Sequence, residues 1–479
     1  MNGNMAVATV LLVITALRLL AIAITPLGLD VEEAQYWLWS QTPDAGYFSK
    51  PPMIAWWIGL TTALAGNTEF GVRLAAPFLQ LISALLIWRI AGEAYDRRSG
   101  TLAALIWISL PASAIGGIVM STDSPMLVFL LAMILVLTPL AKGERVSAIE
   151  ATVAGIFAGL AMMSKYAAIY LPLGLLIWWF WQGRMDRTVK PRLVFLFLTG
   201  MLISLSPNLI WNFNHGFVTI GHLSHNANLD ESTYSILRVL NFLLSQAGVI
   251  GPLVLACWIF SLIGSDGSRL SRFWISLSIP ALATITVQAF MSDANANWAL
   301  ASWPSGIVLL SGWLSRNWRG WSRIFGQVSI GVNFILGFFL LASIMVGSLG
   351  PLTPASDPFR RLRGWDQHAS DLAKVLEEWP AEVIVAERRG IAAKLFWALR
   401  DTDVAVELID FNGIADNHYE HRHPWTPVEG RRVILVNETA TIENNGLTPH
   451  HRPSLSKTTI SQRRERALYI HPAIETGSR

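Results

Sequence analysis

Eleven stretches of this chain stay apolar for roughly the 20 residues that a helix needs to cross a hydrocarbon core about 30 Å thick. They fall near 5–25, 72–91, 101–119, 125–141, 148–163, 167–182, 193–213, 239–263, 273–291, 298–314 and 324–348. Runs of that length predict an all-α polytopic membrane protein with about eleven transmembrane helices, and the charge content agrees. Only 14% of the 479 residues are charged, against about 25% in a soluble domain, so much of the surface is expected to face lipid. The first run, Val7–Ile24, lacks a basic leader and reads as a retained anchor rather than a cleaved signal peptide. Met53–Ala65 is apolar for thirteen residues only. It is too short to span and is placed at the interface, where Trp56 and Trp57 sit comfortably.

With that stretch left out, the basic residues sort by side. Every second loop is basic: Arg97 and Arg98; Lys142 and Arg145; Arg184, Arg187, Lys190 and Arg192; Arg269 and Arg272; Arg316, Arg319 and Arg323. The opposite loops and helix mouths carry Lys50, Arg73, Lys165 and Arg238. The basic side is cytoplasmic by the positive-inside rule. The N-terminus is then expected in the cytoplasm, with the outer loops 26–71, 120–125, 212–238 and 292–297 and everything after about residue 350 on the periplasmic face of the inner membrane. A transmembrane domain over 1–350 and a soluble domain over 351–479 follow. In the latter, Val383–Ala386, Val404–Ile409, Val433–Val436 and Ala467–Ile470 look like short strands, with helical patterns near Trp365–Trp379 and Gly390–Leu399. That alternation predicts a small α/β domain. The net charge of +3 and pI near 9.0 do not indicate nucleic acid, because the basic residues sit in short clusters between apolar runs. The single cysteine, Cys257, excludes a disulfide within the chain.

The outer loops hold the chemically unusual residues. Asp30, Glu32 and Glu33 start an interfacial helix, where acids either cap the helix or form a reactive cluster, since crowding at a membrane surface raises carboxylate pKa values. Neighbours on a helix point about 100° apart, so Glu32 and Glu33 are not expected to address the same atom. Asp123, in Met120-Ser-Thr-Asp-Ser-Pro, either caps the next helix or shares a site with the first loop. Lys50 and Lys165 are outer cations that could meet a phosphate or simply snorkel. His215, His222 and His225 have no specific metal spacing, and Asp293, Asn295, Asn297 and Trp298 suit capping or sugar binding equally.

Taken in order, these residues resemble the membrane glycosyltransferases that take a sugar from a polyprenyl phosphate. That group includes protein O-mannosyltransferases, the aminoarabinose transferase of lipid A and galacturonosyltransferases of lipopolysaccharide. The carriers are Glu32-Glu33-Ala-Gln-Tyr-Trp, Gly46-Tyr-Phe-Ser-Lys-Pro-Pro, Phe70-Gly-Val-Arg-Leu, Ser121-Thr-Asp-Ser-Pro, Ser164-Lys-Tyr, Pro207-Asn-Leu-Ile-Trp-Asn with His215-Gly-Phe, and Ala296-Asn-Trp, over about residues 10–320. The resemblance implies a GT-C fold and catalytic acids among Glu32, Asp30, Glu33 and Asp123. It associates Lys50, Lys165 and Arg73 with the donor phosphate, and Tyr36, Tyr47, Tyr166, His215, His222, Asn297 and Trp298 with substrate. Glu32 stands where the family usually has Asp, so Glu32 and Asp30 both remain candidates for the base. Ser49 stands where the aminoarabinose transferase has a Glu associated with a metal, so no metal or other cofactor is firmly implied. The expected partners are a polyprenyl-phosphate-linked sugar, an envelope glycolipid or protein acceptor, and membrane lipids. The reaction implied is an inverting single displacement through an oxocarbenium-like transition state. A transporter or flippase would instead place ionisable residues in mid-span, where Arg18 is the exception in this chain. A non-catalytic membrane subunit would need no acid and lysine set.

Overall fold

A computed structural model describes residues 3–182, 188–227, 234–349, 357–442, 446–461 and 464–476. Arg184, Arg187, loop positions 228–233 and the junction at 350–356 lie outside the described residues, as does the side chain of His225. The chain runs through α1 (Gly3–Ile24), α2 (Val31–Gln41), α3 (Met53–Ala65), α4 (Glu69–Arg73), α5 (Ala75–Ala94), α6 (Arg97–Ser109) and α7 (Pro111–Gly116). It continues with α8 (Asp123–Lys142), α9 (Ala148–Ser164), α10 (Tyr170–Gln182), α11 (Pro191–Asn214), α12 (Val218–Ala227), α13 (Ile236–Ile250) and α14 (Pro252–Ile263). The remaining long helices are α15 (Arg269–Met291), α16 (Trp303–Arg316) and α17 (Gly320–Val346).

Every apolar run falls on helix, but eleven straight spans is not what the backbone forms. Among the described residues six helices are long and apolar enough to cross a membrane, and α13 with α14 passes the same test as a pair bent by 108°. The bend lies at Gly251, whose φ is +92°, followed by Pro252, which starts the next helix but cannot continue the previous one. Leu110–Pro111 breaks the run at 101–119 in the same way, into α6 and α7. The stretch Met53–Ala65 is a helix with those bounds, and α9 is likewise a shorter apolar helix.

Contacts divide the chain into two units, one of Met1–Ile24 and Lys50–Ala342 and the other of Thr25–Ser49 and Ser343–Arg479. The first is a helical bundle whose interior is filled by Trp178, Trp274, Trp303 and Phe273, each 1% exposed or less. Its tightest seam joins α9 to α11 through small residues, the means by which apolar helices approach closely. A Cβ on Gly155 would lie 1.9 Å from the Phe197 carbonyl oxygen, and one on Gly200 would lie 2.3 Å from that of Thr152. Because backbone stands in the way, Gly155→Val is expected to push the two helices apart and to cost about 1–3 kcal/mol. Thermal unfolding of the purified protein measures this; an unchanged melting temperature contradicts the seam.

The second unit contains α2, α18 (Trp365–Glu378), α19 (Arg389–Ala398), α20 (His418–Arg422) and six strands. These are β1 (Val383–Ala386), β2 (Ala405–Leu408), β3 (Arg432–Asn437), β4 (Leu447–Pro449), β5 (Ser454–Ser461) and β6 (Arg464–Glu475). The sheet order is β2-β1-β3-β6-β4, with β5 paired to β6. β1 is parallel to both neighbours and buried throughout, as an uninterrupted apolar strand should be. The strands expected from the sequence correspond to β1, β2, β3 and part of β6. Polar Ser454–Ser461 gives no apolar run, so β5 is legible only through its pairing. Residues 25–49, read as a loop of the membrane domain, form one compact unit with this sheet.

Candidate active site

The bundle brings Asp123, Lys165 and Asn297 together. α8 and α9 are successive, so Asp123 at the start of α8 and Lys165 just past the end of α9 share one end of the pair. The Lys165 ammonium donates to Asp123 Oδ1 at 2.7 Å, and Asn297 Nδ2 donates to Oδ2 at 3.2 Å. The Asp123 and Lys165 side chains are 10% and 17% exposed, so the ion pair is little screened by water. Asp123 and Asn297 line a cavity of about 400 Å³ whose other walls include Gln80, Trp107, Ser113 and Trp303. Tyr166, beside Lys165, donates to Asn208 Oδ1 at 2.5 Å and accepts from Asn212 Nδ2 at 3.1 Å. Asn208 and Asn212 stand one turn apart on α11, a spacing that could have marked them as a pair.

His215 stacks on Trp211 at 4.1 Å, with Nδ1 2.8 Å from the Trp211 carbonyl oxygen. His222 is half-buried on α12. Trp298 packs beside Phe242, Ile285 and Ala299. Arg73 is 2% exposed at the end of α4, and Lys50 is half-buried. Among the described residues no three His, Cys, Asp or Glu side chains gather as metal ligands.

The first-loop acids divide into two jobs. Asp30 and Glu33 form a capping box on α2: Asp30 accepts from the Glu32 amide at 3.2 Å, and Glu33 accepts from the Asp30 amide at 3.0 Å. This satisfies backbone donors that a helix start leaves open. Glu32 has no place in that box. Its Oε1 instead accepts from Arg389 Nη2 at 2.5 Å, while Arg389 Nε donates to Gln35 at 3.0 Å. Burial alone would weaken the Arg389 charge; the Glu32 carboxylate outweighs it and raises the pKa above the ordinary arginine value. Sequence reading missed Arg389, since Arg388-Arg389 is one basic pair among many in the tail. Tyr47 stacks on Trp39 at 4.7 Å and donates to the Trp39 carbonyl at 2.9 Å. Burial pushes its phenol up to about 12. Tyr36 lies 5.3 Å from Trp39, and Trp37 meets Trp397 edge-on at 4.9 Å.

Burial and neighbouring cations hold His418, which packs on Trp39, down to about 3. Burial and Arg466 hold His368 down to about 4. Unfolded, both take a proton near 6.5. Between pH 6.5 and about 4 the unfolded chain therefore binds more protons, and stability falls as pH falls. A melting temperature that drops from pH 7.5 to pH 5 is expected for this unit, and a flat profile contradicts it.

Known proteins point the same way. A family described as dolichyl-phosphate-mannose-protein mannosyltransferase matches residues 49–211. The lipid A galacturonosyltransferase RgtD of Rhizobium johnstonii is 29% identical over 422 residues, 86% of each chain. The structure of ArnT from Cupriavidus metallidurans bound to undecaprenyl phosphate matches with a TM-score of 0.67 and 15% identity, covering 98% of this chain and 97% of that one. The apo form of ArnT matches with a TM-score of 0.65 and 13% identity, at the same coverage. The ArnT likeness gives the fold, which is GT-C, and the chain is a membrane glycosyltransferase similar along most of its length to enzymes that use polyprenyl-phosphate sugar donors.

Proposed function

We propose that this enzyme moves a sugar from a polyprenyl-phosphate donor to the lipid A portion of an envelope glycolipid, on the periplasmic face of the inner membrane. The observation that carries the reading is the Asp123–Lys165–Asn297 cluster on a 400 Å³ cavity of an apolar helical bundle. The likeness to a lipid A galacturonosyltransferase along most of both chains supports the acceptor. A second cleft, about 300 Å³ and lined by apolar side chains of α8 to α11 and the segments between them, suits an isoprenoid tail.

In this reading the acceptor hydroxyl attacks the anomeric carbon opposite the carrier phosphate. The bond to the phosphate oxygen breaks as the new one forms, with inversion. The departing phosphate gains negative charge, and Lys165 supplies the compensating cation where it develops. Asp123 holds Lys165 in place until then, and Asn297 holds Asp123. Glu32 takes the proton of the attacking hydroxyl, the work of a general base, and Arg389 fixes its position. Lys50 is a second cation for the phosphate. Lys50→Ala is expected to lower turnover at least about tenfold with the fold intact; wild-type turnover removes it from the site.

The test is direct. The purified full-length chain in lipid nanodiscs receives a polyprenyl-phosphate sugar and lipid A, and mass spectrometry follows the acceptor. A gain of one sugar residue is expected. Movement of the donor across the bilayer with no change in acceptor mass would instead identify a flippase.

A further inference from the structure

Two buried asparagines stand in α11, a span of which little else is buried, and the mechanism above gives neither a task. Asn208 and Asn212 are 0% and 1% exposed, whereas Leu209, Ile210 and Phe213 beside them are exposed. Polar side chains buried in a span carry a desolvation cost that apolar ones do not. Asn212 even leaves its Oδ1 buried without a partner among the described residues. Both asparagines reach Tyr166, the residue after Lys165.

The hydrogen bonds of these three residues run in a fixed order. The Asn208 backbone carbonyl can only accept, so the Asn212 side-chain atom 3.0 Å from it is the nitrogen. The second hydrogen of that nitrogen goes to Tyr166 Oη, at 3.1 Å. Tyr166 gives its own single proton to Asn208 Oδ1, at 2.5 Å, and has none left to offer a substrate. The bonds tie residue 166 to α11 at two points one turn apart.

This tie continues the tight seam between α9 and α11. Gly200, Ser204, Asn208 and Asn212 follow one another at steps of four, a row that keeps to one side of a helix. Gly200 packs against the Thr152 carbonyl, and Ser204 Oγ lies 3.0 Å from the Ile156 carbonyl oxygen. A Cβ on Gly159 would fall 2.0 Å from the same hydroxyl oxygen. α9 ends at Ser164, and the last two members of the row take hold of the chain just beyond it. Lys165 is the joint. Its backbone is extended, with φ −160° and ψ 129°. Its amide closes α9 on the Ala161 carbonyl, and its own carbonyl opens the 3-10 turn Tyr166–Ile169 by accepting from Ala168.

We infer that Tyr166, held by Asn208 and Asn212, is a positioning residue that fixes the backbone of Lys165. The inference rests on Lys165 as the cation of the transfer reaction. Asp123 holds the ammonium end of that side chain only while the ion pair lasts. When the carrier phosphate draws the ammonium to itself, the backbone is the end that stays fixed. An unrestrained joint would let the cation miss the developing charge, and a misplacement of about 1 Å costs on the order of a hundredfold in rate.

The experiment measures transfer by purified, folded variants of the full-length chain in nanodiscs. Tyr166→Phe keeps the ring and deletes the tie. It is expected to lower kcat about tenfold to a hundredfold, with little change in the KM for donor. Because it strands two buried amides, the triple variant Tyr166→Phe, Asn208→Leu, Asn212→Leu is made alongside. Apolar replacement of all the partners should restore the melting temperature and leave kcat low. Recovery of both would reduce the cluster to helix packing and overturn the inference. The decisive comparison repeats Tyr166→Phe in the Lys165→Met, Asp123→Asn background. A residue that acts only by placing Lys165 has nothing to place there, so no further loss is expected. An equal loss in both backgrounds would mean that Tyr166 works on the substrate itself, and overturns the positioning role. Wild-type kcat in Tyr166→Phe overturns it too, and leaves Lys165 standing as the cation. If the Lys165→Met, Asp123→Asn background itself transfers sugar at the wild-type rate, Lys165 is not the cation, and its role and this inference fall together.

Discussion

Lys165→Ala is expected to slow sugar transfer by roughly a hundredfold to a thousandfold, the loss seen when one oriented donor to a developing oxyanion is removed. The difficulty is that Lys165 is also half of an ion pair, 2.7 Å from Asp123, with both side chains at least four-fifths buried. Removing one partner of such a pair strands the other charge and destabilises by about 3–5 kcal/mol. A loss of activity in the single variant could then report unfolding. The double variant Lys165→Met, Asp123→Asn separates the two causes. It removes both charges and keeps the volume, so stability should return close to that of the wild type. Transfer should remain low, because the Lys165 cation no longer faces the carrier phosphate. Recovery of both stability and transfer in the double variant would show that the pair only supports the fold. Lys165→Arg keeps the charge but changes its reach, and an intermediate rate is expected. Asn297→Ala, which frees one oxygen of Asp123, should cost about tenfold, consistent with a single hydrogen bond to a charged group.

The sequence places Asp123 and Lys165 on one face without pairing them, and helix order supplies the pairing. Residues 42 apart in sequence come together because one begins a helix and the other follows the end of the next, and consecutive antiparallel helices return the chain to the same end. The number of spans was less legible. Apolarity reports what a segment is made of and not its direction, so Gly251-Pro252 bends an apolar run without interrupting it. The capping box Asp30–Glu33 is a recognisable spacing, and capping was one of two readings left open for those acids; the structure shows the caps and leaves Glu32 outside them. Gln80 and Arg389 could not have been chosen from sequence. The first is one polar residue in an apolar helix, and its hydrogen bond with Ser113, which also accepts from Arg18, joins segments far apart in sequence. The second lies 357 positions from Glu32 in a tail rich in arginine, where no local pattern distinguishes it.

Glu32→Gln tests the first loop most sharply, because it keeps the shape of the side chain and removes the charge. Asp30 and Glu33 are occupied with the backbone of α2, and Glu32, held by Arg389, is the acid proposed above as the base. A positioned general base contributes about 10²–10⁴-fold, and a loss in that range is expected. Asp30→Asn should lower the melting temperature through the cap, worth about 1 kcal/mol, and reduce transfer much less. The reverse order, with Glu32→Gln near wild type and Asp30→Asn inactive, would move the base to Asp30. Arg389 then has a definite consequence. It touches Glu32 and Gln35 and acts on the reaction by fixing the carboxylate. Arg389→Ala should lower kcat with little change in KM and shift the acid limb of the pH–rate profile upward, since a carboxylate that loses a cationic neighbour holds its proton more tightly. Arg389→Lys, which keeps the charge, should restore the limb in part. A variant that is slower but keeps the wild-type pH profile would mean that Arg389 only holds the unit together, and the case for Glu32 as the base would lose its structural support.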